Sequence, residues 1–311
     1  MSLRLCVDHG YERVSAGLKR LWGTAPAPET LRQAALAEGA RVRAAEQAAT
    51  EAIVSSREAV PRSAAPERLY IALDGGYARG RAKGQWHEGK LGQVYPERRV
   101  AVSRNRRRVL GRAQVGTFES AEKLGNAVYA RAFRQGVESA TQVIVLGDGA
   151  GWIRTLQQYH FPRAELRLDA FHVLQALDRG VRAAYPKDRA RQTRQKQALK
   201  ALIWEGRLKE ALRRLRLIAH HAPSPATALR ETLDYLDHQS PFIPAYASLQ
   251  ERGEMISSAL AEEGVDRTLN ARFKHQHRHW RSDGADALLA LRLLDTNNQW
   301  DRYWQPTARA A

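Results

Sequence analysis

The fold is decided by residues 143–152, which are Val143-Ile-Val-Leu-Gly-Asp-Gly-Ala-Gly-Trp152. Four apolar residues bounded by glycine are typical of a strand that is buried on both faces of a sheet. Asp148 follows directly, and open α/β sheets place their functional groups at the carboxyl ends of strands. Taken alone, the segment also fits an ordinary strand that closes on a turn aspartate. Its interpretation therefore depends on whether other carboxylates meet Asp148.

Two other segments repeat this pattern of a strand that ends on an acid. Residues 69–77 run into glycine after Asp74, and residues 165–172 give a strand that ends on Asp169. Between Asp74 and Asp148 we predict antiparallel strands that are joined by a turn, and then a helix that ends before residue 143. These strands are predicted at 90–95, 98–103 and 109–117, with the turn at 104–108 and the helix at 118–136. The pattern predicts an α/β fold with a mixed sheet.

Helical patterns flank and interrupt the strands. Residues 1–60 predict an N-terminal helical region, which is either a small DNA-binding unit or a helical hairpin that packs on the next domain. Within it, helices are predicted at 11–22 and from Pro28 to about residue 58, since proline is tolerated in a first helical turn. Two prolines between this helical region and the first predicted strand indicate a linker. The predicted order is then linker 61–68, first part of the core 69–172, all-helical insertion 173–251, and C-terminal core helices 252–311.

Composition limits the class of protein. A chain of 311 residues with 43% hydrophobic residues can form a sizeable core and two or three structural units. No run of about 18 uncharged apolar residues occurs, and the first residues lack a secretion signal, so a cytoplasmic location is expected. Cys6 is the only cysteine, which excludes an internal disulfide and a thiolate zinc cluster. We interpret it as a structural thiol.

The charge balance points to a polyanionic partner. The chain has 50 Lys and Arg against 33 Asp and Glu, which gives a net charge of +17 and a pI near 10.4. Arginine dominates, and guanidinium groups suit bidentate phosphate contacts. The alternative is a basic cytosolic protein that binds no nucleic acid.

Two dense basic segments are candidate DNA contacts. Residues 104–108 form either a phosphate-facing turn or a solvated hairpin tip. Residues 275–281 contain three alternating histidines, which share no helix face and therefore favour phosphate contact over zinc. The predicted DNA-binding residues are Arg104, Arg106, Arg107, Arg108, Arg272, Lys274, His275, His277, Arg278 and Arg281.

A third carboxylate, Glu262, lies on a predicted helix beyond the insertion. Acids at the ends of a first and a fourth strand, followed by an acid on a late helix, are the order of a ribonuclease-H-like fold. Three adjacent carboxylates persist as anions only if cations lie between them, and oxygen ligands suit Mg²⁺ or Mn²⁺. Two such ions, about 3.5–4 Å apart, can activate water or a 3′-hydroxyl. The predicted chemistry is phosphodiester hydrolysis or strand transfer.

Five segments carry a resemblance to a known family. They are Leu73-Asp-Gly-Gly76, Trp86-His-Glu-Gly-Lys90, Leu146-Gly-Asp-Gly-Ala-Gly-Trp-Ile153, Asp169-Ala-Phe-His172, and Ser257-Ser-Ala-Leu-Ala-Glu-Glu263 with Asn270-Ala-Arg-Phe-Lys274 and Trp280. Together they resemble the Mutator-like bacterial insertion-sequence DDE transposases over about residues 69–304. The chain departs from that family in the residues before Glu262 and in lacking the cysteines of an N-terminal zinc module.

The resemblance implies roles for individual residues. It makes Asp74, Asp148 and Glu262 the metal ligands, with Asp169 and His172 as accessory residues. Glu262 is preferred to Glu263 because it keeps the family's interval to Asn270; Glu263 would point about 100° away, toward solvent or an arginine. From the residues alone, His172 fits a cap or a packing role; the resemblance favours contact with the scissile phosphate or with Asp169.

The resemblance also implies an activity and its partners. We expect a metal-dependent transposase, bacterial and nucleoid-associated when bound, that cleaves the ends of an insertion sequence and joins them to target DNA. Its partners would be double-stranded DNA and further copies of itself, in a dimer or higher oligomer that holds two ends together. The alternatives are a ribonuclease-H-like nuclease that never joins strands, and a catalytically inactive, transposase-derived DNA-binding protein.

Overall fold

A computed structural model describes residues 2–56, 65–103, 106–109, 111–221, 227–257, 259–274 and 279–305. Seven strands are found in these ranges: β1 Arg68–Arg79, β2 Trp86–Pro96, β3 Val100–Ser103, β4 Arg106–Val109, β5 Ala113–Thr117, β6 Gln142–Gly147 and β7 Glu165–Leu168. The helices before β7 are α1 Ser2–Asp8, α2 Tyr11–Trp22, α3 Pro28–Ser56, α4 Ala121–Arg134 and α5 Gly151–His160. The later helices are α6 Ala170–Ala184, α7 Arg189–Trp204, α8 Leu208–His221, α9 Thr227–His238, α10 Tyr246–Glu251, α11 Ala259–Val265, α12 Ala271–Phe273, α13 Ser282–Thr296 and α14 Trp300–Tyr303.

Five strands form a mixed sheet in the order β5-β2-β1-β6-β7. β1 pairs antiparallel with β2 and parallel with β6, while β6 pairs parallel with β7. The carboxyl ends of parallel strands meet at one edge of a sheet, so the residues that follow β6 and β7 lie beside Asp74 of β1. The predicted α/β fold with a mixed sheet is confirmed. β1 does not end at Asp74, however, but continues against β2 as far as the pair Arg79 and Trp86.

A small second sheet corrects part of the strand prediction. β3 pairs antiparallel with β4, with Ser103 opposite Arg106. Arg106, Arg107 and Arg108 therefore lie in a strand and not in the predicted turn, whereas residues 104 and 105 lie outside the described residues. Of the strand predicted at 109–117, Val109 is the last residue of β4 and residues 113–117 form β5.

The alternation of side chains along β1 explains why both faces of the sheet are buried. Leu69, Ile71 and Leu73 pack against α4 and α5 on one face. Tyr70 and Ala72 point to the other face, where they pack with apolar residues of the neighbouring strand β6. The unbroken apolar run that predicted a fully buried strand is thus satisfied on both sides.

Helices α6 to α10 form a helical unit with its own core. Val181, Leu199, Leu215 and Leu236 are buried together there. This core continues into Leu168 at the end of β7, so the insertion is joined directly to the sheet edge that carries the acids. In its described part, which omits residues 222–226, the segment predicted as an all-helical insertion contains no strand.

The N-terminal helices pack on the C-terminal helices. Cys6, Leu18 and Leu31 share one core with Leu291 of α13 and with Trp300 of α14. The region therefore packs on the C-terminal helices, and whether it also binds DNA stays a prediction. Trp300 is buried and its ring lies 5.9 Å from that of Trp304. Among the described helices, none combines the length and the apolar character needed to cross a membrane.

Candidate metal centre

Asp74, Asp148 and His172 meet at the carboxyl edge of the sheet. One ligand atom from each residue lies within 4.8 Å of those of the other two. Asp74 lies within β1, Asp148 follows β6, and His172 lies in the first turn of α6. Three chain segments that are distant in sequence thus supply two carboxylates and one imidazole to a single point.

Asp74 is a buried carboxylate in a repulsive environment. The residue is only 7% exposed, and Oδ1 of its side chain accepts a hydrogen bond of 2.7 Å from the N–H of Gly75. The pKa of Asp74 is raised to about 6, chiefly by burial and also by the charges of Asp148 and Glu262, against the opposing effects of the Gly75 hydrogen bond and of His172. A cation at this point would relieve both effects.

The turn after β6 fixes Asp148. Its Oδ1 accepts a hydrogen bond of 2.9 Å from the N–H of Ala150. Gly149 has a φ of +89°, and a Cβ at that position would lie 2.6 Å from the side chain of Gln239. Glycine is therefore required here both for its backbone conformation and for the close approach of the helical insertion.

Asp169 lies beside the imidazole of His172. Asp169 is fully buried, and its Oδ1 accepts from the N–H of Phe171 at 2.7 Å, which caps α6. Its Oδ2 lies 3.4 Å from Nδ1 of His172. Burial alone would lower the pKa of His172, but Asp169 and then Asp148 and Asp74 outweigh it, and the pKa is raised. Asp169 thus caps the helix and lies within ion-pair distance of the imidazole.

Glu262 lies near the cluster without being part of it. Its charge raises the pKa of Asp74, yet among the described residues no group within 4.8 Å includes it. Burial raises the pKa of Glu262, and His172 acts in the opposite direction. Glu263 is 52% exposed and lies 3.5 Å from Arg267, so the expectation that it meets solvent or an arginine is met.

The helix that carries Glu262 approaches β1 closely. A Cβ on Gly76 would lie 3.1 Å from Oδ1 of Asn270 and from a methyl of Val265. Residues 266–270 form a π-helical segment between α11 and α12, which the sequence did not predict. Such segments are rare and often occur at functional sites.

The predicted DNA-binding residues differ in their exposure to solvent. Arg272 is only 1% exposed, with its guanidinium 5.4 Å from the ring centre of Tyr11 and 5.2 Å from that of Trp280. The prediction that Arg272 contacts DNA is therefore wrong for this structure, because the side chain is enclosed by aromatic rings. Lys274 and Arg281 are exposed. The backbone of Arg106, Arg107 and Arg108 lies in β4, while Arg104, His275, His277 and Arg278 lie outside the described residues.

The segment Trp86-His-Glu-Gly-Lys90 has a visible structural role. Glu88 and Lys90 form an ion pair of 2.9 Å, and Nε2 of His87 lies 3.2 Å from the carbonyl of Trp280. The N–H of Trp280 in turn donates to the carbonyl of Arg79 at 2.9 Å. The paired strands β1 and β2 are therefore hydrogen-bonded to the C-terminal part of the chain at Trp280.

The sequence profile of the uncharacterised protein family UPF0236 matches residues 3–303. The chain belongs to this family. The matched range extends from α1 through the sheet and the insertion to the end of α14, so membership of the family covers every part of the fold. No curated protein matches the chain.

Two residues that contact the acid-bearing turn were not found by sequence reasoning. Tyr235 and Gln239 of the segment 227–239 hydrogen-bond to the main chain of Asp148 and Gly149. They lie in an amphipathic region whose pattern signals only helix packing. Only their one-turn spacing, which places both on the same face of a helix, could have linked them.

Proposed function

We propose that this chain is a DDE-type transposase that catalyses metal-dependent cleavage and strand transfer of an insertion sequence. The observation that carries the proposal is the meeting of Asp74, Asp148 and His172 at one sheet edge, with Glu262 close by. The direct pairing of β1 with β6 supports a ribonuclease-H-like core, because it places Asp74, which lies just past the last pair of these two strands, beside Asp148, which follows β6. The five segments of resemblance and the charge of +17 support the same function.

The donor set fits a divalent cation. Two carboxylates with a third nearby offer the hard oxygen ligands that Mg²⁺ and Mn²⁺ prefer, and no thiolate is available since Cys6 is the only cysteine and is buried. Asp74 and Asp148 would hold the ions, and Glu262 would be the third carboxylate ligand. When bound, such ions generate a nucleophile from water or a 3′-hydroxyl and stabilise the leaving oxygen.

The protein's own residues would prepare the substrate. His172, which lies near Asp169 and beside the two carboxylates, would place an N–H toward a phosphate oxygen. Exposed basic residues such as Lys274 and Arg281 would contact the phosphates of double-stranded DNA. Since two ends must be held together for joining, the working form would be a dimer or a larger oligomer of this chain.

The test uses purified protein, Mg²⁺ or Mn²⁺, and DNA duplexes that carry the ends of the element. Nicks with 3′-hydroxyl ends and joined products are expected, and Asp148→Asn should reduce both by at least about 10³-fold, because a neutral amide cannot replace the ligand. Glu263→Gln is the matched control, since Glu263 is exposed and paired with Arg267. The proposal fails if Asp148→Asn cuts and joins as the wild type does.

A second candidate is a DNA-binding protein without catalytic activity, which is favoured by the position of Glu262 outside the 4.8 Å cluster. It predicts DNA binding that weakens with salt, the logarithm of the binding constant falling by about 0.9 per neutralised phosphate for each tenfold rise in salt. Binding would be unchanged by Asp148→Asn, and the wild type would not cut DNA. Cleavage without joining would instead indicate a nuclease.

A further inference from the structure

We infer that the helical insertion is part of the catalytic apparatus, because two of its tyrosines, Tyr235 and Tyr246, hold the strand ends that carry Asp148 and Asp169. Both are positioning residues, which act through the main chain of the acid-bearing segments. The inference rests on the proposed function for its chemical meaning. Its structural part, the restraint of the two strand ends, can be tested without it.

Tyr235 of helix α9 and Gln239, which follows the helix, hydrogen-bond to two successive residues of the turn, Asp148 and Gly149. The hydroxyl of Tyr235 donates to the main-chain carbonyl of Asp148 at 2.8 Å. Four residues later, Nε2 of Gln239 donates to the carbonyl of Gly149 at 2.9 Å. Residues four apart share one helix face, so a single face of this part of the insertion satisfies both carbonyls.

Tyr246 makes the corresponding contact at the next strand. Its hydroxyl donates to the carbonyl of Leu168 at 2.9 Å, and the residue is fully buried. Leu168 is the last residue of β7 and immediately precedes Asp169, which lies beside His172. Each of the two neighbouring strand ends is thus fixed by one tyrosine of the insertion.

These contacts matter because the β6–β7 pairing ends before Asp148 and Asp169, although the N–H of Asp169 still donates to the carbonyl of Gly147 at 2.8 Å. The pairing of β6 with β7 ends at Gly147 and Leu168, so the carbonyl of Asp148 has left the ladder. A main-chain carbonyl in a partly buried turn needs another partner. A cavity of about 160 Å³, lined in part by Gly149, Arg154 and Gln239, adjoins the turn and gives it room to move if the hydrogen bonds are lost.

A purely structural role for Tyr235 is the competing explanation, and Thr232 provides the matched control. Thr232 lies on the same helix, is 1% exposed, and donates to the carbonyl of Ala176 at 3.0 Å, within the insertion. Thr232→Val and Tyr235→Phe each remove one hydroxyl that donates to a main-chain carbonyl. If the hydroxyl of Tyr235 only stabilised the insertion, the two variants would behave alike.

The first experiment measures Mn²⁺ binding to the full chain by titration calorimetry and electron paramagnetic resonance. Tyr235→Phe should weaken binding by about fivefold or more, the effect of losing one hydrogen bond, whereas Thr232→Val should remain within about twofold of the wild type. Tyr246→Phe should resemble Tyr235→Phe. Wild-type affinity in Tyr235→Phe, or an equal loss in Thr232→Val, would overturn the inference.

The second experiment follows amide hydrogen exchange without metal. The N–H of Ala150 donates to Oδ1 of Asp148, so its exchange reports the order of the turn directly. Tyr235→Phe should accelerate this exchange at least about fivefold, while Thr232→Val should leave it unchanged. Unchanged exchange in Tyr235→Phe would refute the restraint. Accelerated exchange in a protein that binds no Mn²⁺ would support the restraint and refute the proposed metal centre.

Discussion

Asp286 shows how a single buried carboxylate joins two distant parts of the chain. Its Oδ1 accepts from the hydroxyl of Thr117 at 3.0 Å and from the N–H of Phe118 at 2.7 Å, and the residue is 3% exposed. Arg43 of α3 lies 3.6 Å from Oδ2. Burial nevertheless outweighs these partners, and the pKa of Asp286 is raised above its ordinary value of 3.8.

This shift predicts a pH dependence of stability. Because Asp286 binds its proton more tightly in the folded state, its contribution to the free energy of unfolding falls as pH rises from 3.8 through the raised pKa. Asp286→Asn is neutral throughout. Urea unfolding should therefore show the stability of the variant increasing relative to the wild type as pH rises above 3.8.

Asp283 of the same helix provides the control with the opposite sign. The N–H of Gly284, and then the hydrogen bond from Arg281, lower the pKa of Asp283, so its stabilising effect grows with pH. Asp283→Asn should therefore lose stability relative to the wild type as pH rises from the lowered pKa to 3.8, and the difference should stay constant at higher pH. Two differences that changed in the same direction would contradict the assigned effects of burial and hydrogen bonding.

Single residues also mark the limit of what the sequence could predict about the site. Asp74, Asp148 and Asp169 were found because each follows an apolar run, which is a local signal. Arg272 was misassigned because its burial depends on Tyr11, far away in sequence, and on Trp280. A basic residue in a basic run carries no signal of such an enclosure.

At the level of secondary structure, the π-helical segment 266–270 depends on one side chain of α13. Arg292 is 4% exposed; its Nε donates to the carbonyl of Thr268 at 2.8 Å and its other nitrogens to the carbonyls of Arg267 and Val7. A π-helical segment interrupts the regular helical hydrogen bonds and leaves carbonyls that need other donors. Arg292 thus supplies donors to two carbonyls of the segment that follows the helix of Glu262.

Arg292→Met tests this arrangement. Methionine keeps the apolar stem but removes every donor, so at least two buried carbonyls lose their partner and the free energy of unfolding should fall by about 3 kcal/mol. Arg267→Met is the control, because Arg267 is 68% exposed and its pairing with Glu263 should contribute less than about 0.5 kcal/mol. Equal midpoints of urea unfolding for the two variants would refute the role of Arg292.

For the molecule as a whole, the order of strands and helices was predictable because it follows from local periodicity. The helices at 11–22 and 28–56 and the strands around Asp74 and Asp148 lie where they were expected. The packing of α3 on α13 was not predictable, because the contacting residues are far apart in sequence and each helix alone shows only an apolar face. Strand β4 was missed because three of its four residues are arginines of the segment predicted as a turn.

That packing predicts that the N-terminal helices unfold together with the sheet. A Cβ on Gly39 of α3 would lie 2.0 Å from the carbonyl oxygen of Ala287 in α13, so the two helices touch through their backbones. Gly39→Val should lower the free energy of unfolding by about 3 kcal/mol through overpacking. Gly17→Ala, at a helical position with open space around it, should instead stabilise by about 0.5–1 kcal/mol.

Amide hydrogen exchange separates an integral N-terminal region from an independent one. If α1 to α3 share one cooperative unit with the sheet, Gly39→Val will accelerate exchange in β1 and β6 as much as in the N-terminal helices, since the slowest amides open by global unfolding. A separate DNA-binding unit would confine the acceleration to residues 2–56. The common core of Cys6, Leu31, Leu291 and Trp300 favours the first outcome, because separating the two regions would expose all four side chains to water.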